Sequence, residues 1–215
     1  MDSKVFRDLS YGMFVISTKY NDRNVGCFVN TVTQITSKNP IIAVSVNKEN
    51  YTNEAIKQTN KFAVSILSEK SSENTISKFG FFTSKDTNKF EEVDFEIIEN
   101  IPVVKDNICG YMICEVIKHI DCETHDVFFA RVIDGNKEND YVPMTYKFYH
   151  EVIKGKAPKK APTYVEENTE SDIKVEIEGE EVYICSVCGY IHKGSMPDDF
   201  KCPRCGVDKS LFERK

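Results

Sequence analysis

Two cysteine pairs near the C-terminus, Cys185 with Cys188 and Cys202 with Cys205, are each spaced CxxC and stand thirteen residues apart. A CxxC turn aims two thiolates at one point, and a second turn supplies the other two corners of a tetrahedron. Zinc and iron both accept such a set, so the spacing alone does not choose between them. Gly189 and Gly206 directly follow the pairs and tolerate backbone conformations that bring amides close to sulfur. Amide-to-sulfur hydrogen bonds stabilise thiolate charge and tune redox potential. His192 lies between the pairs, but four cysteines already fill a tetrahedral shell. The remaining cysteines, Cys27, Cys109, Cys114 and Cys122, have irregular spacing and apolar neighbours, and read as small core residues.

The elements that must position these thiolates form a small C-terminal unit. A segment of about 35 to 40 residues cannot be held by its apolar core alone and needs a metal or disulfides. The whole chain, 215 residues with 40% hydrophobic residues, has room for one main domain and such an appendage. A net charge of −6 excludes the basic stripe of a nucleic-acid binder. Residues 166–181 hold eight acidic side chains against one lysine, which reads as a solvated linker that can also steer docking. No apolar run is long enough to span a bilayer and the first residues lack the apolar core of a signal peptide. The expectation is a cytoplasmic protein, in which clustered cysteines hold metal rather than form disulfides.

Short runs of β-branched and aromatic residues predict strands over 13–18, 26–35, 41–46, 62–67, 111–120 and 127–133. A helix is expected from Thr52, and a second over 73–80, closed by Gly80. Many strands with few helices imply a mainly β barrel or sandwich rather than a doubly wound sheet. Neither GxGxxG nor GxxxxGK[ST] is present, which excludes a dinucleotide-binding βαβ unit and a P-loop on motif grounds. Residues 153–172 pass from lysines and prolines to acids without apolar periodicity, as an exposed linker does. The alternation around Gly179 reads as a hairpin leading into the first CxxC.

The wording around the cysteines, VYICSVCGYIHKG followed by FKCPRCGVDKSLFE, resembles rubredoxin, in the compact version found in rubrerythrins. The pieces that match are CxxCGY, CPRCG and the aromatic framework Tyr183, Tyr190, Phe200 and Phe212. The resemblance implies one iron held by Cys185, Cys188, Cys202 and Cys205. Residues 9–67, together with FGFFTSKDTNKFEEVDF, CETHDVFFARVIDG and YHEVIKGKAPKKAPTY, resemble the flavin-reductase-like, FMN-binding split-barrel family. That resemblance implies a split barrel over residues 1–164, an acidic linker and hairpin start over 165–179, and the rubredoxin-like domain over 180–215. It places Asn30, Thr31 and Thr33 along the flavin. Ser45, Asn47, Lys48 and Thr52 fall at the ribityl phosphate, helped by the positive end of the helix that starts there. Ser84 and Lys89 are further additions. His125 matches the histidine of a GDHxxxxGxV pattern that stands near the nicotinamide, whereas Glu123, Thr124 and Ala130 depart from it. His150, beside Tyr149, falls at the cofactor or the dimer partner.

Taken together, the two halves resemble the high-molecular-weight rubredoxins of anaerobic bacteria. This likeness implies an enzyme in which NADH or NADPH reduces bound FMN, which then reduces the iron one electron at a time. It also implies a homodimer, and a flavo-diiron protein reducing nitric oxide or oxygen as acceptor. Two other classes fit the same residues: a free-flavin or ferric reductase with a structural zinc ribbon, and a non-enzymatic FMN and iron carrier.

Overall fold

The computed structural model describes residues 3–153, 181–185, 190–203 and 207–214. After a 3-10 helix at Ser3–Asp8 come β1 (Phe14–Tyr20), β2 (Arg23–Val29), β3 (Val32–Thr36), β4 (Ile41–Asn47), α1 (Tyr51–Thr59) and β5 (Lys61–Ile66). Then follow α2 (Glu73–Phe81), the hairpin β6 (Phe95–Ile98) and β7 (Ile101–Val104), the long strands β8 (Gly110–Cys122) and β9 (His125–Lys137), and α3 (Tyr146–Glu151). The C-terminal module contains β10 (Val182–Cys185), β11 (Ile191–Lys193) and β12 (Phe212–Arg214), the last preceded by a 3-10 turn at Lys209–Leu211.

Seven strands form one antiparallel sheet in the order β2-β1-β5-β8-β9-β4-β3. Its two edge strands, β2 and β3, are consecutive in the chain and separated by Asn30 and Thr31 alone. That short join holds the two edges close at one end, so the sheet curls into a split barrel. Inside it, Ile16, Cys27, Val44, Phe62, Val64, Cys114 and Phe128 pack together with Ile56 from α1, which plugs the barrel. β1 is buried on both faces, because Met13 and Val15 on its other side meet Leu67, Ile76, Phe79, Phe90 and Met144. A further cluster of Ala63, Ile101, Val103 and Ile113 seats the β6–β7 hairpin, and Ser17 donates to the Pro102 carbonyl from within it.

Local chemistry explains most boundaries. The β1–β2 turn puts Asn21 and Asp22 at positive φ, and the β6–β7 turn does so with Glu99 and Asn100, the geometry of the two-residue hairpin turn that matches strand twist. α1 is capped by Asn50, whose side chain accepts from the Thr52 amide, and it ends on Asn60 in the left-handed region. The expected helix start at Thr52 is thus corrected by two positions: Asn50 offers the better-placed acceptor. α2 is capped by Ser72 and runs through Gly80 to Phe81; the glycine does not end it, since its backbone stays helical beside Phe28. The strand expected over 26–35 is two strands, broken where the sheet's edges meet. Cys27, Cys109 and Cys114 are buried, but Cys122 is exposed at the β8–β9 tip, against the core reading. The expected hairpin around Gly179 and most of the expected linker lie outside the described residues.

Candidate functional site

In the C-terminal module the two cysteine segments fold alike. The Cys185 amide donates to the Tyr190 carbonyl at 2.9 Å, and the Cys202 amide donates to the Val207 carbonyl at 2.8 Å. Ile184 pairs with Ile191 just outside the first loop, and Lys201 bridges Asp208 just outside the second. The first cysteine of each pair is therefore anchored in the same way, by its amide to the carbonyl five residues on. The thiols of Cys185 and Cys202, 1% and 2% exposed, come together in one apolar cluster with Val207, Tyr190 and Phe212. Phe200 lies edge-on to Phe212, and His192 packs on Phe200 with its Nε2 3.3 Å from the Ser195 carbonyl. Cys188 and Cys205 lie outside the described residues. Two buried cysteines held alike in one cluster suit a tetrahedral thiolate-bound metal.

The expected flavin-binding residues fall into two environments. Sheet register places the first set on one surface. Thr31 donates to the Ser45 carbonyl at 2.9 Å, Thr33 pairs with Ala43, Ala43 with Phe129, Ser45 with Val127, and Asn47 with His125. On these strands the alternate residues Ile42, Val44, Val46, Phe128 and Ala130 face the barrel interior, so Thr31, Thr33, Ser45, Asn47 and His125 share the outer face. Val127, Phe129 and Ile120 supply its apolar part and remain half-buried or exposed. Sequence reading missed these three, although the alternation from His125 to Phe129 carried the signal. Lys48 stands at the rim, its amide donating to the Thr124 carbonyl and its amine paired with Asp121.

At the head of β9, His125 Nδ1 lies 2.9 Å from Thr124 Oγ1, and Nε2 is buried without a hydrogen-bond partner among the described residues. Burial lowers the imidazole's pKa from its ordinary value, against an opposing pull from Asp126, and favours the neutral ring. Asp126 points to the other face and is held 2.5 Å from the Lys57 amine.

The second set is interior. Thr52 is fully buried beneath the start of α1, with its side chain beside the Cys27 thiol. Asn30 is buried at the β2–β3 join. Ser84 donates to the Gly26 carbonyl at 3.0 Å and accepts from the Gly26 amide at 3.1 Å. The Lys89 amine donates to the carbonyls of Gly26 at 2.9 Å and Phe79 at 3.3 Å. Burial brings the Lys89 pKa down to about 8. The Cys27 thiol nearby is pushed up by burial, which the Lys89 charge partly opposes. Ser84 and Lys89 thus fasten the loop after α2 to β2, a contact between distant segments that no local motif announces. Of the other histidines, His150 packs against Tyr146 and Tyr149 on α3, and His119 against Phe128.

A flavin fits the outer face on chemical grounds. Its ring needs an apolar wall and its edges need polar partners. The face offers Val127, Phe129 and Ile120 beside two threonines, a serine and an asparagine, with the orphaned Nε2 of His125 at one end. The described residues also form a cleft of about 160 Å³, but it lies elsewhere, between α2, α3 and the C-terminal module.

Comparison with known proteins agrees with this division. The flavin reductase like domain family matches residues 6–152, and the rubrerythrin, rubredoxin-like domain family matches residues 183–213. The high molecular weight rubredoxin of Moorella thermoacetica is 33% identical, with all of both chains covered. The ferric-chelate reductase (NAD(P)H) of Archaeoglobus fulgidus is 35% identical over 77% of this chain and 99% of its own. An NADH:FAD oxidoreductase of Streptomyces globisporus shares the barrel fold, with a TM-score of 0.60 and 20% identity over 66% of this chain and 84% of its own. A barrel of the flavin-reductase kind, two buried cysteines gathered in a C-terminal module and a full-length relative that joins both parts lead to one conclusion: the chain belongs to the high-molecular-weight rubredoxins, flavin-reductase-like oxidoreductases with a rubredoxin-like domain.

Proposed function

We propose that Thr31, Thr33, Ser45 and Asn47 hold FMN on the outer face of β3, β4 and β9, and that Cys185, Cys188, Cys202 and Cys205 hold one iron. Once bound, the flavin takes a hydride from NADH or NADPH and gives its electrons up singly, as a thiolate-held iron requires. The chain's own work is positional. Val127, Phe129 and Ile120 provide an apolar wall that excludes water, and the threonine and serine hydroxyls orient the ring's polar edge. The start of α1, with Lys48 at its rim, offers amides and a cation to a phosphate, and Thr52, buried beneath it, fixes that helix start. His125, neutral and with Nε2 unengaged, offers one hydrogen bond where a nicotinamide approaches. Ser84 and Lys89 spend their polar groups on Gly26 and Phe79, holding the loop after α2 against β2.

The observation that carries this reading is the register of β3, β4 and β9, which gathers hydroxyls, an amide, an imidazole and an apolar wall on one surface. The same half-exposed face suits burial against a second copy, so we assign it to a homodimer interface that also encloses the flavin. The division into residues 1–164, 165–179 and 180–215, a cytoplasmic setting that keeps the thiolates reduced, and a flavo-diiron protein as acceptor complete the reading. Among the described residues no helix is long and apolar enough to cross a membrane. The test is an anaerobic titration of the purified protein with NADH, followed spectrally. Flavin bleaching followed by loss of a thiolate-to-iron band supports the proposal, and a flavin that stays oxidised overturns it. A second reading, reduction of ferric chelates by the barrel alone, is favoured by the 35% identity to the Archaeoglobus ferric-chelate reductase. It requires chelate reduction to survive removal of the C-terminal module.

A further inference from the structure

The thiol end of the C-terminal module is turned toward the barrel domain. Cys185, Cys202 and Val207 pack in one apolar cluster with Phe81 and Phe82, which belong to the end of α2. Beside them the cleft is lined by Ile76, Phe81 and Tyr149 from the domain and by Tyr190 and Pro203 from the module. Pro203 directly follows Cys202, and the Tyr190 carbonyl accepts from the Cys185 amide. The module therefore meets the domain through the surface that carries its chemistry.

The domain's side of this contact is built in advance. α2 ends at Phe81, and Phe82 turns to extended backbone. The loop that follows is tied to β2 by Ser84 and Lys89 on Gly26. Arg23 adds hydrogen bonds to the carbonyls of Ser84 and Lys85, both at 3.0 Å. Behind α2, a Cβ added at Gly80 would lie 3.7 Å from the Phe28 ring, and Phe28 stacks edge-on to Tyr149. Phe28 stands two residues before Asn30, at the join that leads to Thr31 and the outer face. A run of packed residues thus connects the cysteines, through Phe81, Phe82 and α2, to the end of β2 beside the proposed flavin.

We propose that Phe81 and Phe82 are the seat on which the chain's own C-terminal module docks its metal centre, and that iron receives electrons in this docked position. The inference rests on the function proposed above. Each transfer takes one electron from reduced flavin and converts ferric to ferrous iron, with the flavin's proton released to water; two transfers complete one hydride's worth. Because the docked surface is the thiol end itself, the module leaves the seat to serve an external acceptor. Reduction and delivery are therefore mutually exclusive positions.

The test uses the full-length, flavin- and iron-loaded protein with two variants from opposite sides of the contact, Phe81→Ala/Phe82→Ala and Pro203→Glu. An undiminished thiolate-to-iron band before each measurement reports an intact centre. The first readout, bleaching of that band by an added iron chelator, measures shielding without turnover. The second is the rate of iron reduction relative to flavin reduction after anaerobic mixing with NADH. Both variants are expected to bleach about tenfold faster and to lower the relative rate of iron reduction about tenfold, as loss of ~1.4 kcal/mol of docking contact requires. Unchanged bleaching in both variants overturns the seat. Faster bleaching with an unchanged rate ratio overturns the claim that transfer occurs there. If NADH reduces no iron in the unmodified protein, the proposed function fails while the bleaching comparison still decides the seat.

Discussion

The barrel domain and the C-terminal module hold themselves together by different physics. The barrel interior is an apolar cluster sealed by α1, with further clusters under α2 and the β6–β7 hairpin. The module's cluster has Cys185, Cys202 and Val207 as its buried members, so two of its three buried residues are proposed metal ligands. One part folds by removing hydrocarbon from water; the other folds around the site it exists to present. Their sensitivities should therefore be nearly orthogonal.

The largest expected effect tests the module. Cys202→Ser should abolish the thiolate-to-iron absorption and the amide-exchange protection of residues 181–214, because small thiolate sites draw roughly 10–16 kcal/mol of apparent folding free energy from their metal. The barrel's melting temperature should stay within a few degrees. A large fall in that temperature would show that the two parts are one cooperative unit and remove the contrast.

Next is the converse. Phe62 is fully buried in the barrel interior, and Phe62→Ala should destabilise the barrel by about 3–5 kcal/mol through lost contact and cavity formation. Denaturant melts followed by circular dichroism should show the shift while the iron band persists past the barrel's transition. Simultaneous loss of both signals would count against independent stability.

The two parts were also unequally legible from sequence. In the module, chemistry is written in adjacent residues: CxxC, CGY and CPRCG each specify a local turn. In the barrel, the strands showed as β-branched and aromatic runs, but what joins them is long-range. The join at Asn30 and Thr31 is invisible until β2 and β3 are known to be opposite edges of one sheet. The β6–β7 hairpin went unrecognised because Pro102 weakens a strand reading and its turn uses Glu99 and Asn100 rather than a glycine. Val127 and Phe129 joined the proposed site only through their pairing with Ser45 and Ala43. Lys89 is expected at the flavin from its family-like segment; nothing local says that two carbonyls wait for its amine inside.

Lys89 gives the third prediction. Its folded pKa of about 8 lies below the ordinary 10.5, so between these values the unfolded chain binds more protons than the folded one. Stability contributed by this group therefore rises with pH from about 8 to 10.5, by up to about 3 kcal/mol, and is absent below pH 8. Lys89→Met should flatten the difference between denaturant melts at pH 7.5 and pH 10. Groups remote from Lys89 cancel when the two proteins are compared, and Cys27, whose thiol feels the Lys89 charge, is replaced by alanine in both. An identical pH slope in both would mean that the amine reaches water and that the loop following Phe82 is looser than its hydrogen bonds indicate.

The smallest effect probes His125, which among the described residues is the polar group on the flavin face with an unengaged buried atom. If His125 Nε2 makes a single neutral hydrogen bond to a nicotinamide, His125→Gln should raise KM for NADH about fivefold, the equivalent of ~1 kcal/mol, with little change in kcat. The pH profile separates this from a structural role. Burial depresses the imidazole's pKa, so the ring stays neutral above its ordinary value of 6.5 and gains a proton only below it. In the unmodified protein KM should thus be flat from pH 8 down to 6.5 and change in more acidic solution, while the glutamine variant stays flat throughout. A fall in kcat at constant KM would instead place His125 in the transition state for hydride transfer. A parallel change in both proteins below pH 6.5 would assign the titration to another group and leave the imidazole as packing at the head of β9.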